Sequence, residues 1–200
     1  MILPTLALGA RGPHVATLQA LLGISVDGSF GRKTQTAVSN YQLSQGLDRD
    51  GICGPATWAA LTAAAPYLAP CDCPPGQHLP VEGYRRQHGR AGQTWAIDLP
   101  TPIGTQIESP CPGRVSRTSD RSDPYNGIGV WIEPVAGPLT RIALIHLSAL
   151  AVEVGQEVAP GQLLGLSGST GASTGPHLHL EIAPELDPLA LFRWPERGWT

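Results

Sequence analysis

The 200-residue sequence predicts an α+β protein of two domains, a small three-helix N-terminal bundle followed by an antiparallel β lobe. Apolar residues recur at helical spacing in the first 66 residues, whereas short strand-like runs separated by glycine and proline follow later. The 24 glycines and 20 prolines also favour short elements and turns over long helices. We expect a helical domain over 1–66, a proline-rich linker over 67–80 and a β domain over 81–200.

Composition excludes two classes of partner. The formal net charge is −3 and no basic run occurs, so binding of nucleic acid through phosphate contacts is not expected. The apolar stretches fall far short of the roughly 20 residues that span a bilayer, so membrane insertion is not expected either. We expect a monomer.

The helical domain contains an internal repeat. Apolar residues at helical spacing follow Pro13, a second amphipathic run covers Thr34 to Leu43, and Pro55 opens a third helix. Between the helices the pattern Asp-Gly-x-x-Gly-x-x-Thr occurs twice, beginning at Asp27 and at Asp50. An Asp-Gly step suits a tight turn and the second glycine suits a helix entry, so the repeat alone favours a structural role without a ligand.

Residues 5 to 65 resemble the three-helix peptidoglycan-binding domain of many wall hydrolases. The resemblance rests on Leu8-Gly9-Ala10-Arg11-Gly12-Pro13, Leu18-Gln19, Val26-Asp27-Gly28-x-Phe30-Gly31, Gln45-Gly46-Leu47 and Asp50-Gly51-x-x-Gly54-Pro55-x-Thr57-Trp58. It implies that this domain anchors the protein to the cell wall. Tyr41 and Trp58 are equally suited to a core and to a binding surface.

The β lobe carries the residues suited to catalysis. Strand-like runs are expected at 105–107, 129–132, 141–147, 162–166 and 177–182. In His177-Leu178-His179-Leu180-Glu181-Ile182 the alternation places His177, His179 and Glu181 on one face of a strand. Two imidazoles on one face can converge on a metal ion or a reacting group, although a buried, hydrogen-bonded pair is the structural alternative.

Three further residues complete the candidate set. His146 ends an apolar run, where a lone histidine is more often structural, and His88 precedes Asp98. An aspartate and two histidines are suitable zinc ligands and leave a coordination position open, as catalytic zinc requires.

Together these motifs resemble the lysostaphin/LytM-type zinc endopeptidases of peptidoglycan, over about residues 76 to 192. The resemblance rests on Ala96-Ile97-Asp98, Pro102-Ile103-Gly104-Thr105, Gly113-Arg114-Val115, Ile145-His146-Leu147-Ser148 and the run from Gly168 to Glu181. It implies that His88, Asp98 and His179 hold Zn²⁺. It further implies that His146 and His177 are catalytic and that Glu181 has a supporting or structural role.

The first ligand departs from the family pattern. The family histidine usually precedes the aspartate by only a few residues, whereas nine residues lie between His88 and Asp98. A longer loop can still return both side chains to one ion. His78, in the proline-rich entry to the lobe, is the alternative ligand, and an incomplete site is the other possibility.

The four cysteines allow several arrangements. Cys71 and Cys73 are too close to pair comfortably, but either could reach Cys111 and tie the linker to the β lobe. A structural zinc site built from these three thiols and free buried thiols are the alternatives. Cys53 is expected to pack in the helical core.

We therefore predict a zinc endopeptidase that cleaves stem or cross-link peptide bonds of peptidoglycan. A non-catalytic wall-binding or regulatory protein is the rival reading, and a bacterial autolysin the alternative context. The first residues lack the basic region of a secretory signal. We therefore expect no signal peptide, and a phage endolysin made in the host cytoplasm and released by a holin to reach the wall. The sequence names neither the host nor the scissile bond, and does not say which of His146 and His177 is the general base.

Overall fold

The computed structural model describes residues 3–72, 95–184 and 186–194. The chain divides into two compact units, one formed by Met1–Pro66 with Leu189–Arg193 and the other by Tyr67–Pro188 with Trp194–Thr200. The predicted α+β class is confirmed, with helices in the N-terminal region and a mostly antiparallel β lobe. Within the described residues, no helix has both the length and the apolar character needed to cross a membrane.

The first unit contains three helices that begin where proline and glycine predict. The helices are α1 (Pro13–Leu21), α2 (Arg32–Ser44) and α3 (Pro55–Ala63). Pro13 and Pro55 occupy the first turn of their helices, where a missing N–H costs nothing because the first backbone donors have no partner within the helix. A short helix α4 (Pro188–Leu191) lies near the C-terminal end of the described chain.

Apolar side chains from all three helices form the core of this unit. Trp58 is 3% exposed and its Nε1 donates to the Pro4 carbonyl at 2.8 Å, so this residue is a core residue. Tyr41 packs against the same core from a partly buried position. Cys53 is a fully buried free thiol, in agreement with the packing role predicted for it. The buried core residues are Leu6, Val15, Leu18, Phe30, Val38, Cys53, Trp58, Leu61 and Ala190.

A buried glutamine explains each copy of the repeat. The Gln19 amide donates to the Asp27 carboxylate at 2.8 Å and to Thr34 Oγ1 at 3.0 Å, and it accepts from the Gly28 N–H at 2.9 Å. Gln42 makes the same three contacts in the second copy, to Asp50 at 2.8 Å, to Thr57 at 3.0 Å and from the Gly51 N–H at 2.9 Å. The polar groups of the repeat thus bind one another and hold each turn against a helix.

The second unit is built on two antiparallel sheets. Its strands are β1 (Tyr67–Leu68), β2 (Trp95–Pro100), β3 (Gln106–Glu108), β4 (Gly113–Ser119), β5 (Ile128–Pro134), β6 (Arg141–Leu147), β7 (Ala149–Leu150), β8 (Glu157–Val158), β9 (Leu163–Leu166) and β10 (His177–Ala183), and a further strand, β11 (Phe192–Arg193), belongs to the first unit. The larger has the order β2-β10-β6-β5-β4-β8 and the smaller the order β3-β9-β7. Along β10, Leu178, Leu180 and Ile182 are fully buried, and the alternate residues face the opposite side of the sheet.

The cysteines of this unit do not form the pair that the sequence suggested. Cys71 is disulfide-bonded, whereas Cys111 is a buried free thiol, so a bond between Cys71 and Cys111 is wrong. The three-thiol zinc site is wrong as well, because an oxidised Cys71 cannot act as a thiolate ligand. Burial raises the pKa of the Cys111 thiol to about 11, so it stays protonated and inert. Cys73 lies outside the described residues.

Candidate active site

Antiparallel pairing of β2 with β10 brings the predicted aspartate and histidine together. Asp98 lies directly opposite His179 in the register of the two strands. His179 Nδ1 and Asp98 Oδ1 are 2.6 Å apart, a distance typical of a short charge-assisted hydrogen bond. His179 is 7% exposed, so this pair lies at the floor of the site.

His177 reaches the same carboxylate from one strand position away. Its Nδ1 lies 2.8 Å from the Gly175 carbonyl, which only accepts, so Nδ1 carries the proton and donates. Its Nε2 lies 3.6 Å from Asp98 Oδ1. The imidazole therefore presents Nε2 to the site, and the loop before β10 fixes this orientation.

His146 occupies an unusual backbone conformation at the end of β6. Its φ is 65°, the one positive φ of a non-glycine residue in the described chain. Its N–H donates to the Asn126 carbonyl at 3.1 Å, and its Nδ1 donates to the Thr170 carbonyl at 2.7 Å. A left-handed conformation costs a residue with a Cβ about 1–2 kcal/mol, and these two contacts hold His146 in it.

The loop between β9 and β10, which holds His146, packs so closely against residues 125–127 that position 171 has no room for a side chain. Gly171 has a φ of 73°, and a Cβ there would lie 2.3 Å from the Gly127 nitrogen and 2.6 Å from the Tyr125 carbonyl oxygen. Thr170 adds a side-chain tie, donating to the Leu147 carbonyl at 2.6 Å and accepting from the Ile128 N–H at 2.9 Å. The loop between β9 and β10 is thus fastened to both β5 and β6.

The three imidazoles form one cluster. The potential ligand atoms of His146, His177 and His179 all lie within 4.8 Å of one another. The ring centroid of His146 is 4.8 Å from that of His177 and 5.8 Å from that of His179. A carboxylate beside three imidazoles offers the nitrogen and oxygen donors that zinc prefers.

The electrostatics of the cluster favour a charged aspartate beside a neutral histidine. Burial raises the pKa of Asp98, but the hydrogen bond and positive charge of His179, with smaller effects from His177 and His146, outweigh it and lower the pKa overall. Burial lowers the pKa of His146 to about 4, with additional lowering by the two neighbouring histidines. His146 is therefore neutral near pH 7, with a free Nε2 lone pair.

The structure thus brings together four of the five predicted site residues: Asp98, His146, His177 and His179. His88 and its alternative, His78, lie outside the described residues, so the third protein ligand stays a prediction. Glu181 binds Arg141 at 2.6 Å, which assigns it an ion pair on the neighbouring strand.

Sequence reasoning missed the groups that orient the histidines. The Thr170 carbonyl, the Gly175 carbonyl and the Asn126 carbonyl are backbone atoms, and no residue type marks them in a sequence. The positive φ at His146 was also invisible, since histidine carries no conformational signal comparable to that of glycine.

Comparisons with known proteins agree with this geometry. Residues 92–190 match the model of peptidase family M23, and residues 11–61 match the model described as "Putative peptidoglycan binding domain". The solved structure titled "putative peptidase M23" from Pseudomonas aeruginosa is 26% identical, with a TM-score of 0.51, over 68% of this chain and 59% of that one.

Two curated relatives of this chain carry different named activities. Peptidoglycan DD-endopeptidase ShyA of Vibrio cholerae is 45% identical over 85 residues, which are 42% of this chain and 19% of that protein. Glycyl-glycine endopeptidase ALE-1 of Staphylococcus capitis is 57% identical over 91 residues, 45% of this chain and 24% of that protein. The chain thus spans about a quarter or less of the length of these relatives. It joins an N-terminal domain of the peptidoglycan-binding type to a domain that belongs to peptidase family M23.

Proposed function

We propose that this chain is a zinc endopeptidase that hydrolyses peptide bonds of bacterial peptidoglycan. The observation that carries the proposal is the convergence of Asp98, His146, His177 and His179 at one point of a family M23 domain. A structural histidine pair would need only its own hydrogen-bond partners. Here two imidazoles instead direct an Nε2 away from their backbone partners and into the site.

The donor set fits zinc. Asp98 and His179 share a proton at 2.6 Å, and a metal ion can replace that proton between an oxygen and a nitrogen donor. These two residues, with His88 as the third, would hold the ion. When bound, zinc supplies a Lewis acid that polarises a peptide carbonyl and lowers the pKa of water.

The other two histidines supply proton transfer and charge stabilisation. His146 and His177 each donate Nδ1–H to a backbone carbonyl, so each has Nε2 available to accept a proton from water and return it to the leaving amine. An imidazolium at either position would stabilise negative charge that develops on the substrate carbonyl oxygen. His146 is buried and neutral near pH 7, so its Nε2 is unprotonated before the reaction begins.

We further propose that the wall it attacks is directly cross-linked, with the bond between D-alanine and meso-diaminopimelate as the target. The first 66 residues carry four basic residues against three acidic ones, which gives this segment a formal net charge of +1: Arg11, Arg32, Lys33 and Arg49 against Asp27, Asp48 and Asp50. This small charge offers little attraction to a wall rich in teichoic acid. The named activities of ShyA and ALE-1 differ and do not decide the bond.

Digestion of purified walls tests the activity and the bond together. The chain should release new diaminopimelate amino groups from a directly cross-linked wall, as seen by mass spectrometry of the products. Chelation should stop the reaction and added zinc should restore it. His177→Ala should still sediment with the walls, since the N-terminal unit is untouched, but should release at most a hundredth as much. If the zinc-loaded protein cleaves no bond in the walls, the proposed activity is refuted and the alternative, a non-catalytic wall-binding protein, is favoured.

A further inference from the structure

The face of the large sheet that carries Asp98 and His179 also carries a cation with spare hydrogen-bonding capacity. Register places Ala96, Glu181, Ala143, Trp131 and Arg117 in one row across five strands, adjacent to the row that holds Asp98 and His179. The row therefore continues the floor of the site away from the histidines, and its far end is Arg117.

Trp131 connects Arg117 to the histidine cluster. The indole packs with Ala143 and Ile145 in one buried cluster, and Ile145 lies opposite His179 in the register of β6 and β10. A Cβ on Gly129 would lie 2.8 Å from Ile145 Cγ2 and 3.1 Å from two atoms of the Trp131 ring. The Trp131 ring and the Ile145 side chain thus both lie over Gly129, where a larger residue does not fit.

Arg117 lies on this aromatic floor. Its guanidinium carbon is 4.3 Å from the Trp131 ring centroid, within the range of a cation–π contact. The side chain is 52% exposed, whereas Trp131 is 7% exposed. Contact with the ring restrains the guanidinium, and the exposure of the side chain leaves N–H groups accessible to a ligand.

Asp123, the acidic residue beside Arg117, occupies little of the hydrogen-bonding capacity of the guanidinium. One Arg117 nitrogen lies 3.5 Å from Asp123 Oδ2, a long contact for an ion pair. Asp123 is already committed to the Asn126 side chain at 2.8 Å and to the Tyr125 and Asn126 N–H groups at 3.0 and 2.9 Å. By contrast Arg141, in the next row of the same face, is bound to Glu181 at 2.6 Å.

We propose that Arg117 binds a carboxylate of the substrate peptide and so makes this site selective for an acidic, non-amidated wall peptide. The proposal rests on the proposed function and specifies its substrate. Neighbouring strands are about 4.8 Å apart, so a group above Trp131 on β5 lies roughly 10 Å across the sheet from β10. About three residues of extended peptide cover that distance. The carboxylate that Arg117 recognises therefore lies a few residues from the scissile bond, and a guanidinium fork can bind it bidentately.

The test compares two soluble cross-linked wall peptides that differ only in charge, one with free carboxylates and one with the same groups converted to carboxamides. The native chain should have a KM about tenfold lower for the carboxylate form, with similar kcat, since one partly exposed charge-assisted hydrogen bond is worth about that factor. Arg117→Ala should cleave both forms alike at the native kcat. Arg117→Lys should retain part of the preference, because the charge remains and the fork is lost.

Arg114→Ala is the matched control, because Arg114 lies on the same strand with its side chain exposed, and it should keep the tenfold preference. Equal KM values of the native chain for the two peptides would overturn the assignment of Arg117 while leaving the endopeptidase in place. A preference that survives in Arg117→Ala would overturn it as well. Cleavage of neither peptide by the zinc-loaded native chain would instead refute the proposed function, and this inference with it.

Discussion

Thr170 offers a sharp test of how the loop between β9 and β10 controls His146. Its Oγ1 donates to the Leu147 carbonyl at 2.6 Å and accepts from the Ile128 N–H at 2.9 Å, and its own carbonyl accepts from His146 Nδ1 at 2.7 Å. Thr170→Val keeps the shape of the side chain and removes both Oγ1 hydrogen bonds. Thr170→Ser keeps the hydroxyl and removes only a methyl group.

The expected magnitude follows from those contacts. A buried backbone group that loses its partner costs about 1–3 kcal/mol. The valine variant leaves two such groups, and both hydrogen bonds are only partly buried, so we expect a loss in the lower part of the summed range, about 2–4 kcal/mol, in the free energy of unfolding of the β lobe. The serine variant should lose less than about 1 kcal/mol, the scale of one buried methyl group. A shift of the residue 170 carbonyl also releases the His146 ring, and misplacement of a catalytic group by about 1 Å lowers kcat up to a hundredfold.

The assay has two parts, chemical denaturation for stability and kcat on a soluble cross-linked peptide for function. Thr140→Val is the control, because Thr140 is exposed and its hydroxyl makes one long contact of 3.3 Å, so neither quantity should change appreciably. A valine variant with native kcat would refute the coupling of this loop to His146, even if its stability fell. A serine variant as slow as the valine variant would show that the hydroxyl is not the responsible group.

The other predictions concern the metal and the N-terminal unit. His179→Ala should lose zinc, whereas His146→Ala and His177→Ala should keep it and lose activity; metal analysis distinguishes them, and full zinc content in His179→Ala would refute the ligand assignment. Gln42→Leu should destabilise the N-terminal unit by about 2–6 kcal/mol, because it leaves the buried Gly51 N–H and the buried Thr57 hydroxyl without their partner. Gln19→Leu should match it, and denaturation that shows no loss would contradict the structural role of the repeat. The Gln19 hydrogen bond lowers the pKa of Asp27, and the Ile52 backbone hydrogen bond lowers that of Asp50, both below 3.8. This stabilisation is present above the ordinary pKa and is lost as the pH falls through the lowered value, so acid unfolding of this unit should be less steep in the double variant Asp27→Asn with Asp50→Asn.

Period-two alternation was sufficient to predict the face of β10 that bears His177 and His179. The strand that bears Asp98 was not predicted as a strand, and Asp98 was predicted as a ligand from its residue type and from a resemblance of motifs. Its position opposite His179 is a matter of register between residues 81 apart in sequence, which local patterns do not encode. His146 is a similar case, because a conformation with positive φ depends on contacts with Asn126 and Thr170 from other loops.

In the repeat of the helical unit, by contrast, the sequence does contain a local signal for the long-range contact, a glutamine at a fixed distance before each turn. The pattern Asp-Gly-x-x-Gly-x-x-Thr marked the turns, but the residue that organises each turn is a glutamine eight positions before the aspartate, in both copies. A buried glutamine amide at the same spacing in two copies is a recognisable sign of a structural hydrogen-bond network, since isolated polar groups are rarely buried without partners. The sequence pattern did not connect the glutamines with the turns, because each glutamine lies on the preceding helix, outside the repeated turn.

The three imidazoles of the site are chemically unlike because their Nδ1 atoms have unlike partners. Backbone carbonyls accept from Nδ1 of His146 and His177, so each of these rings has its proton fixed and its Nε2 lone pair directed elsewhere. His179 turns Nδ1 to the carboxylate of Asp98, and these two residues would take part in holding a metal. The neutral backbone carbonyls beside His146 and His177 are weak ligands for zinc. The charged carboxylate beside His179 is a good zinc ligand. The acceptor that the fold places beside each ring thus supports the proposed assignment of His179 to metal binding and of His146 and His177 to proton transfer.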